Sequence, residues 1–176
     1  MRKLFVLIAL LVVTAVASAA TVSFQADKTD VIVGDVVSIT VIATGNCTSI
    51  VIPEILSSQA GLASNLFLNP LLSQVPIVGI PVNAGNVLIT GINGTTPFAF
   101  PPAPVLAGEV LYSFDYTVPV VASGTIITIA GAGALSFMFD DFTQSTDMGS
   151  VALEVIPEPI TIALLGLGGL FIRRRK

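Results

Sequence analysis

From Thr21 onward, hydrophobic and polar residues alternate with a period of two. TVSFQ is followed by the charged turn Ala26-Asp27-Lys28-Thr29-Asp30, a short VIV, a Gly34-Asp35 turn and VVSITVIA. In that last stretch Val37, Ile39, Val41 and Ala43 make a wholly apolar face, opposite the mixed face of Val36, Ser38, Thr40 and Ile42. Such alternation predicts a strand with one side in a core. The clearest case is 109–118, where Val110, Tyr112, Phe114, Tyr116 and Val118 alternate with Leu111, Ser113, Asp115 and Thr117, so an aromatic core face is expected. TIITIAG (125–131), ALSFMF (134–139) and SVALEV (150–155) read as further strands, punctuated by Gly, Asp and Ser turns.

Between 54 and 104 the pattern weakens. A short strand over 49–52 is expected to end at Pro53, and Ser57-Ser58-Gln59-Ala60-Gly61 and Ser64-Asn65 read as loop. Pro70 interrupts LFLNPLL, while Pro76 and Pro81 leave IVGI as an edge-type piece. NVLITGI (86–92) predicts a strand, and FPPAP (100–104) an extended connector, because proline fixes φ and removes amide donors. No part of the body sustains a 3.6-residue period. Short strands at turn-punctuated intervals therefore predict an all-β sandwich of two sheets packed face to face. A body over 21–156, about 135 residues, can bury such a core without disulfides. The single cysteine, Cys47, cannot form an internal one; it is expected to be a small half-buried apolar residue, with an intermolecular or modified thiol as the alternative.

Both ends differ from the body. Residues 1–20 have a basic start (Arg2, Lys3), an apolar run and the small-residue end Ala17-Ser18-Ala19, the features of a secretory signal peptide cleaved after Ala19 or Ala20. The other end, 157–176, places Pro157-Glu158-Pro159 before an unbroken apolar run and closes on Arg173, Arg174, Arg175 and Lys176. The run over 160–172 makes about thirteen residues, or roughly 20 Å as a helix, which is short for a bilayer core of about 30 Å. With Val155-Ile156 on one side and snorkelling arginines on the other it can just span, leaving the four terminal cations on the cytoplasmic side as a stop and orientation signal and holding the body outside. The chain thus divides into a leader (1–20), a sandwich body (21–156) and a tail (157–176).

Setting the ends apart changes the charge balance. The chain has seven Lys and Arg against eleven Asp and Glu, but Lys28 is the only cation of the body, where it faces every carboxylate except Glu158. Nucleic-acid binding, which depends on neutralising phosphates, is excluded on that balance. There is no histidine, which removes Ser-His-Asp and Cys-His nucleophilic sites and the common His-based zinc sites. A serine-lysine dyad would need Lys28 in its charged turn. A glycosidase pair could draw on Glu54, Glu109 or the aspartates, but sugar sites usually add aromatic platforms, and both tyrosines fall on the expected core face. No cofactor is expected. Asp140, Asp141 and Asp147 are weak calcium candidates without EF-hand spacing; a solvated turn is the plainer reading. Gly131-Ala132-Gly133 lacks the lysine of a phosphate loop, and Asn46-Cys47-Thr48 and Asn93-Gly94-Thr95 fit the N-glycosylation pattern.

Two resemblances follow from these residues. The literal Pro157-Glu158-Pro159, the short apolar segment with LLGLGGL and the terminal RRRK resemble the PEP-CTERM sorting signal. That resemblance implies a bacterial protein exported by the general secretory route and tethered to the membrane through its C-terminal segment. It also implies processing at or near Pro157-Glu158-Pro159 by an exosortase, a membrane protease, with the product delivered to the cell surface or extracellular matrix. VSFQADKTDVIVGDVVSITVIATG resembles the opening of a cohesin-type domain, AGEVLYSFDYTVPVVASGTIITI its later strand pair, and MGSVALEV its last strand. This likeness implies a jelly-roll-like sandwich with a non-enzymatic adhesion or interaction role towards a protein or an exopolysaccharide. The region 54–104 departs from the cohesin pattern, so dockerin recognition is not carried over. A secreted carbohydrate-binding or carbohydrate-active domain is the alternative.

Overall fold

The computed structural model describes residues 20–97 and 103–158. The first sheet holds β1 (Val22–Ala26), β3 (Val36–Ala43), β9 (Val110–Thr117) and β5 (Leu62–Leu68), in the order β1-β3-β9-β5 and antiparallel throughout. The second is built around β4 (Cys47–Ser57). One edge of β4 pairs along its length with β8 (Val87–Thr95). Its other edge is shared between β10 (Ile126–Ala132), beside Glu54 to Ser57, and β11 (Ser136–Phe139), beside Cys47 to Val51. β10 continues the sheet through β13 (Ser150–Val155) to the two-residue β2 (Asp30–Val31), and β11 carries β12 (Gln144–Ser145). Beyond β8 lie β6 (Gln74–Ile77) and β7 (Ile80–Ala84), one edge segment broken at Gly79.

Side chains alternating inward from both sheets form one apolar core, with Tyr112, Phe114, Tyr116, Phe137, Ile39, Ile50, Ile52 and Ile55 fully buried. The all-β sandwich expected from the period-two pattern is the observed fold. Neither buried tyrosine hydroxyl is wasted: Tyr116 Oη lies 3.1 Å from Ser57 Oγ, a bond that joins the two sheets, and Tyr112 Oη donates to the Val78 carbonyl at 2.8 Å. Among the described residues no buried side-chain polar atom lacks a partner. Cys47 is fully buried rather than half-buried. Its thiol donates to the Ser49 carbonyl, and burial pushes its pKa up to about 11.

Three expectations are corrected. Pro53 does not end a strand. It lies within β4 at the point where one edge changes partner from β11 to β10 and where the ladder to β8 passes from Ile52 to Glu54, so its missing amide is not needed. The turn after β10 packs on it, with Gly133 at φ +88° and no room for a Cβ against the proline ring. Ser64-Asn65 belongs to a strand, β5, whose register shifts between Ser64 and Phe67 with Asn65 at φ 50°, a bulge that breaks the alternation. In β9 a second bulge leaves Leu111 as the extra residue between the Val41–Tyr112 and Ile42–Val110 pairs. Leu111 is therefore buried and Val110 only half-buried, the reverse of simple alternation.

Candidate functional site

The chain enters and leaves the sandwich at opposite ends. β3 ends at Ala43 and the chain turns through Gly45-Asn46 into β4; at this end Ala20 rests half-buried beside Gly45, where an added Cβ would collide with it. Thr21 N donates to Thr44 Oγ1 and Thr44 N to the Thr21 carbonyl, both at 2.9 Å. Ala17 and Ala19, the leader's small residues, lie outside the described residues, as do Pro159, Arg173, Arg174, Arg175, Lys176 and the apolar run between them. No helix among the described residues is long and apolar enough to cross a membrane.

The exit is at the other end. Glu154 N donates to the Thr29 carbonyl (2.7 Å) and Ile156 N to the Val31 carbonyl (2.8 Å), while Val155 N donates to the Thr125 carbonyl (2.9 Å) on the other side. Val155 and Ile156 therefore belong to the sandwich, Val155 as the buried last residue of β13, rather than extending the apolar run as expected. Pro157 and Glu158 follow at once, both exposed. Nearby, Lys28 Nζ lies 2.8 Å from Asp35 Oδ2. That ammonium, helped by the Ile32 amide, holds the Asp35 carboxyl below its ordinary value.

The three aspartates considered for calcium do not converge. Asp140 Oδ2 accepts from Asn46 Nδ2 at 2.9 Å. Asp141 Oδ1 accepts from the Thr143 hydroxyl and amide, which lower its pKa, and Asp147 Oδ1 accepts from the Gly149 amide. Asp141 and Asp147 each close a separate local turn while Asp140 bridges to Asn46, and among the described residues no group of three His, Cys, Asp or Glu side chains could hold a metal ion. Of the two asparagines in glycosylation-type triplets, Asn46 uses its side chain to bind Asp140 and to accept from the Ala107 amide, and Asn93 lies within β8. Glu54 sits midway along β4, and Glu109 lies in the turn before β9, where its carboxylate accepts from the Leu106 amide.

The edge-type piece expected between Pro76 and Pro81 is an edge, and it carries an apolar surface that the sequence pattern did not show. The β6–β7 edge exposes Val75 (68%), Ile80 (67%), Ile77 and Val82, with Leu71 beside it. Its signal in the sequence is an absence: no charged residue occurs over 55–108, in a body that is otherwise acidic. Pro76 and Pro81 remove amides from this edge, and Gly79 bends it, so it offers apolar side chains more than a free ladder of hydrogen bonds.

Residues 155–176 match the PEP-CTERM protein-sorting motif. The fold resembles that of cohesin domains. The sandwich is similar to the sixth cohesin of Acetivibrio cellulolyticus scaffoldin B, solved in complex with a Cel5 dockerin mutant, at TM-score 0.57 and 12% identity over 78% of this chain and 99% of that one. It is also similar to the second type II cohesin module of the ScaA scaffoldin of Acetivibrio cellulolyticus, at TM-score 0.55 and 16% identity over 77% and 97%. A non-cellulosomal cohesin from the archaeon Archaeoglobus fulgidus matches at TM-score 0.50 and 12% identity over 81% and 96%. No curated protein sequence matches the chain. The PEP-CTERM motif begins at Val155, inside β13, so the sorting tail and the cohesin-like sandwich share their junction residues.

Proposed function

We propose that this chain is an exported bacterial surface or extracellular-matrix protein, sorted by an exosortase-type membrane protease through its tail, with a body that acts as a non-enzymatic interaction module. The match of 155–176 to the PEP-CTERM sorting motif carries the sorting half of this reading. In it, 1–20 is a leader removed at Ala19 or Ala20, 21–156 is the delivered sandwich, and 157–176 tethers the chain until processing at Pro157-Glu158-Pro159. Arg173, Arg174, Arg175 and Lys176 set its orientation.

The interaction half is supported by the cohesin-like sandwich and the charge-free apolar edge at β6–β7. A protein partner is favoured over a glycan, because the exposed β6–β7 edge is aliphatic and both tyrosines, Tyr112 and Tyr116, are inside the core. The experiment has two arms. Deleting 157–176 is expected to release the body into the medium instead of leaving it membrane-associated before processing. The surface-delivered form is expected to be silent in glycan-array and hydrolase assays. Hydrolysis abolished by Glu54→Gln or Glu109→Gln would sink the non-enzymatic reading.

A further inference from the structure

The folded body leaves no spacer before its processing point. Ile156 is still hydrogen-bonded to Val31, and Pro157 is the next residue. A protease cleft takes its substrate extended, with residues on both sides of the scissile bond free to pair with the enzyme. Here the residues on the body's side belong to β13, held between β10 and β2, with Leu153 and Val155 in the core.

Distance tightens the problem. On the sorting reading, on which this inference rests, three residues separate Ile156 from the apolar run, roughly 10 Å of extended chain at about 3.3 Å each. The headgroup layer alone takes about 5–7 Å of that length. The end of the sandwich would then lie against the membrane surface, leaving only a few ångströms for an enzyme to approach Pro157-Glu158.

β2 is the weak member of this junction. It has two residues, its one sheet neighbour is β13, and the pair is parallel. Val31 and Val155 face each other in the core, but the other pair is Asp30 opposite Glu154, two exposed carboxylates side by side. Like charges directly opposite one another across strands are destabilising. The end of β13 is therefore held by backbone bonds to Thr29, Val31, Gly124 and Thr125 and by one valine pair, against a local repulsion. Segments with few apolar contacts open without global unfolding.

We propose that the β2–β13 pair is a gate on processing: Glu154 to Ile156 must leave Thr29, Val31, Gly124 and Thr125 before the enzyme can seat the Pro157-Glu158-Pro159 motif, and the Asp30–Glu154 repulsion sets how readily they do. Bond cleavage itself belongs to the enzyme; the gate governs access alone.

The test uses the full chain in a host that processes it. Inserting Gly-Ser-Gly-Ser between Ile156 and Pro157 leaves body and tail intact and supplies the missing spacer. A pulse-chase is expected to show it processed at least about threefold faster than wild type. Asp30→Lys turns the repulsion into an attraction and is expected to slow processing by a similar factor, with slower hydrogen exchange at the Glu154 and Ile156 amides. Wild-type processing rates in both variants would overturn the gate while leaving the sorting reading in place, the more so if exchange at those amides slows in Asp30→Lys as expected. No processing of any form, wild type included, would overturn the sorting reading and the gate with it.

Discussion

Asn83 makes both hydrogen bonds of a strand partner to Ala63: its Oδ1 accepts from the Ala63 amide at 2.7 Å and its Nδ2 donates to the Ala63 carbonyl at 3.2 Å. Ala63 belongs to β5, the edge of one sheet, and Asn83 to β7, the outermost segment of the other. The amide thus closes the side of the sandwich where two edges would otherwise show unpaired backbone. Asn83 holds a left-handed backbone to do it, at φ 49°, a conformation that asparagine tolerates better than most residues. Asn83→Ala removes both bonds and adds strain, and is expected to cost about 2 kcal/mol in chemical denaturation. Asn83→Gly relieves the strain but not the lost bonds, and is expected to cost less than Asn83→Ala.

Tyr116 gives a second, graded test. Its hydroxyl bridges to Ser57 Oγ and donates to the Gln59 carbonyl, so Tyr116→Phe leaves a buried serine without this partner and is expected to cost about 1–2 kcal/mol. Tyr112→Phe frees the carbonyl of Val78, an exposed residue, and is expected to cost less. Gly61→Ala would drive a methyl into the Tyr116 ring and is expected to cost about 1–3 kcal/mol by overpacking. The same denaturation series ranks all three.

Much of this architecture was legible from the period-two pattern, because one buried face per strand forces apolar residues to recur at every second position. That logic placed Val37, Ile39 and Val41, and the tyrosines of β9, in the core. It failed where the backbone steps out of register. The bulges at Leu111 and Asn65 shift the inward face, and Pro53 reads as a terminator unless one knows that β4 changes partner beside it. The tail was legible because its residue types sit in a fixed order at the chain end. The β6–β7 segment was legible as an edge from Pro76 and Pro81, but not the apolar surface it exposes, since outward-pointing apolar residues show only once the sheet order is known.

The buried thiol has a chemical signature. Burial holds Cys47 neutral, its pKa raised from 9.0 to about 11. A raised acid contributes stability that is present below its ordinary value and lost as pH rises through about 11. A disulfide reagent at about pH 8 is expected to leave the native thiol unmodified and to label it fully in denaturant. Rapid labelling of the native protein would contradict the burial.

Asp35 carries the opposite sign. Its carboxyl is held below the ordinary 3.8 by the Lys28 ammonium first and the Ile32 amide second. A depressed carboxylate contributes stability that is present above its ordinary value and lost as pH falls through its folded value. Denaturation midpoints are expected to drop as pH falls below about 4, and to drop less in Lys28→Met. Because the pair is partly exposed, added salt is expected to shrink that difference.

The intact mass of the surface-localised protein bears most directly on the central claim. Processing at both ends predicts a mass that lacks the leader through Ala19 or Ala20 and lacks Arg173 to Lys176, with the new C-terminus at or near Pro157-Glu158-Pro159. A surface form that still carries Arg173, Arg174, Arg175 and Lys176 would contradict it.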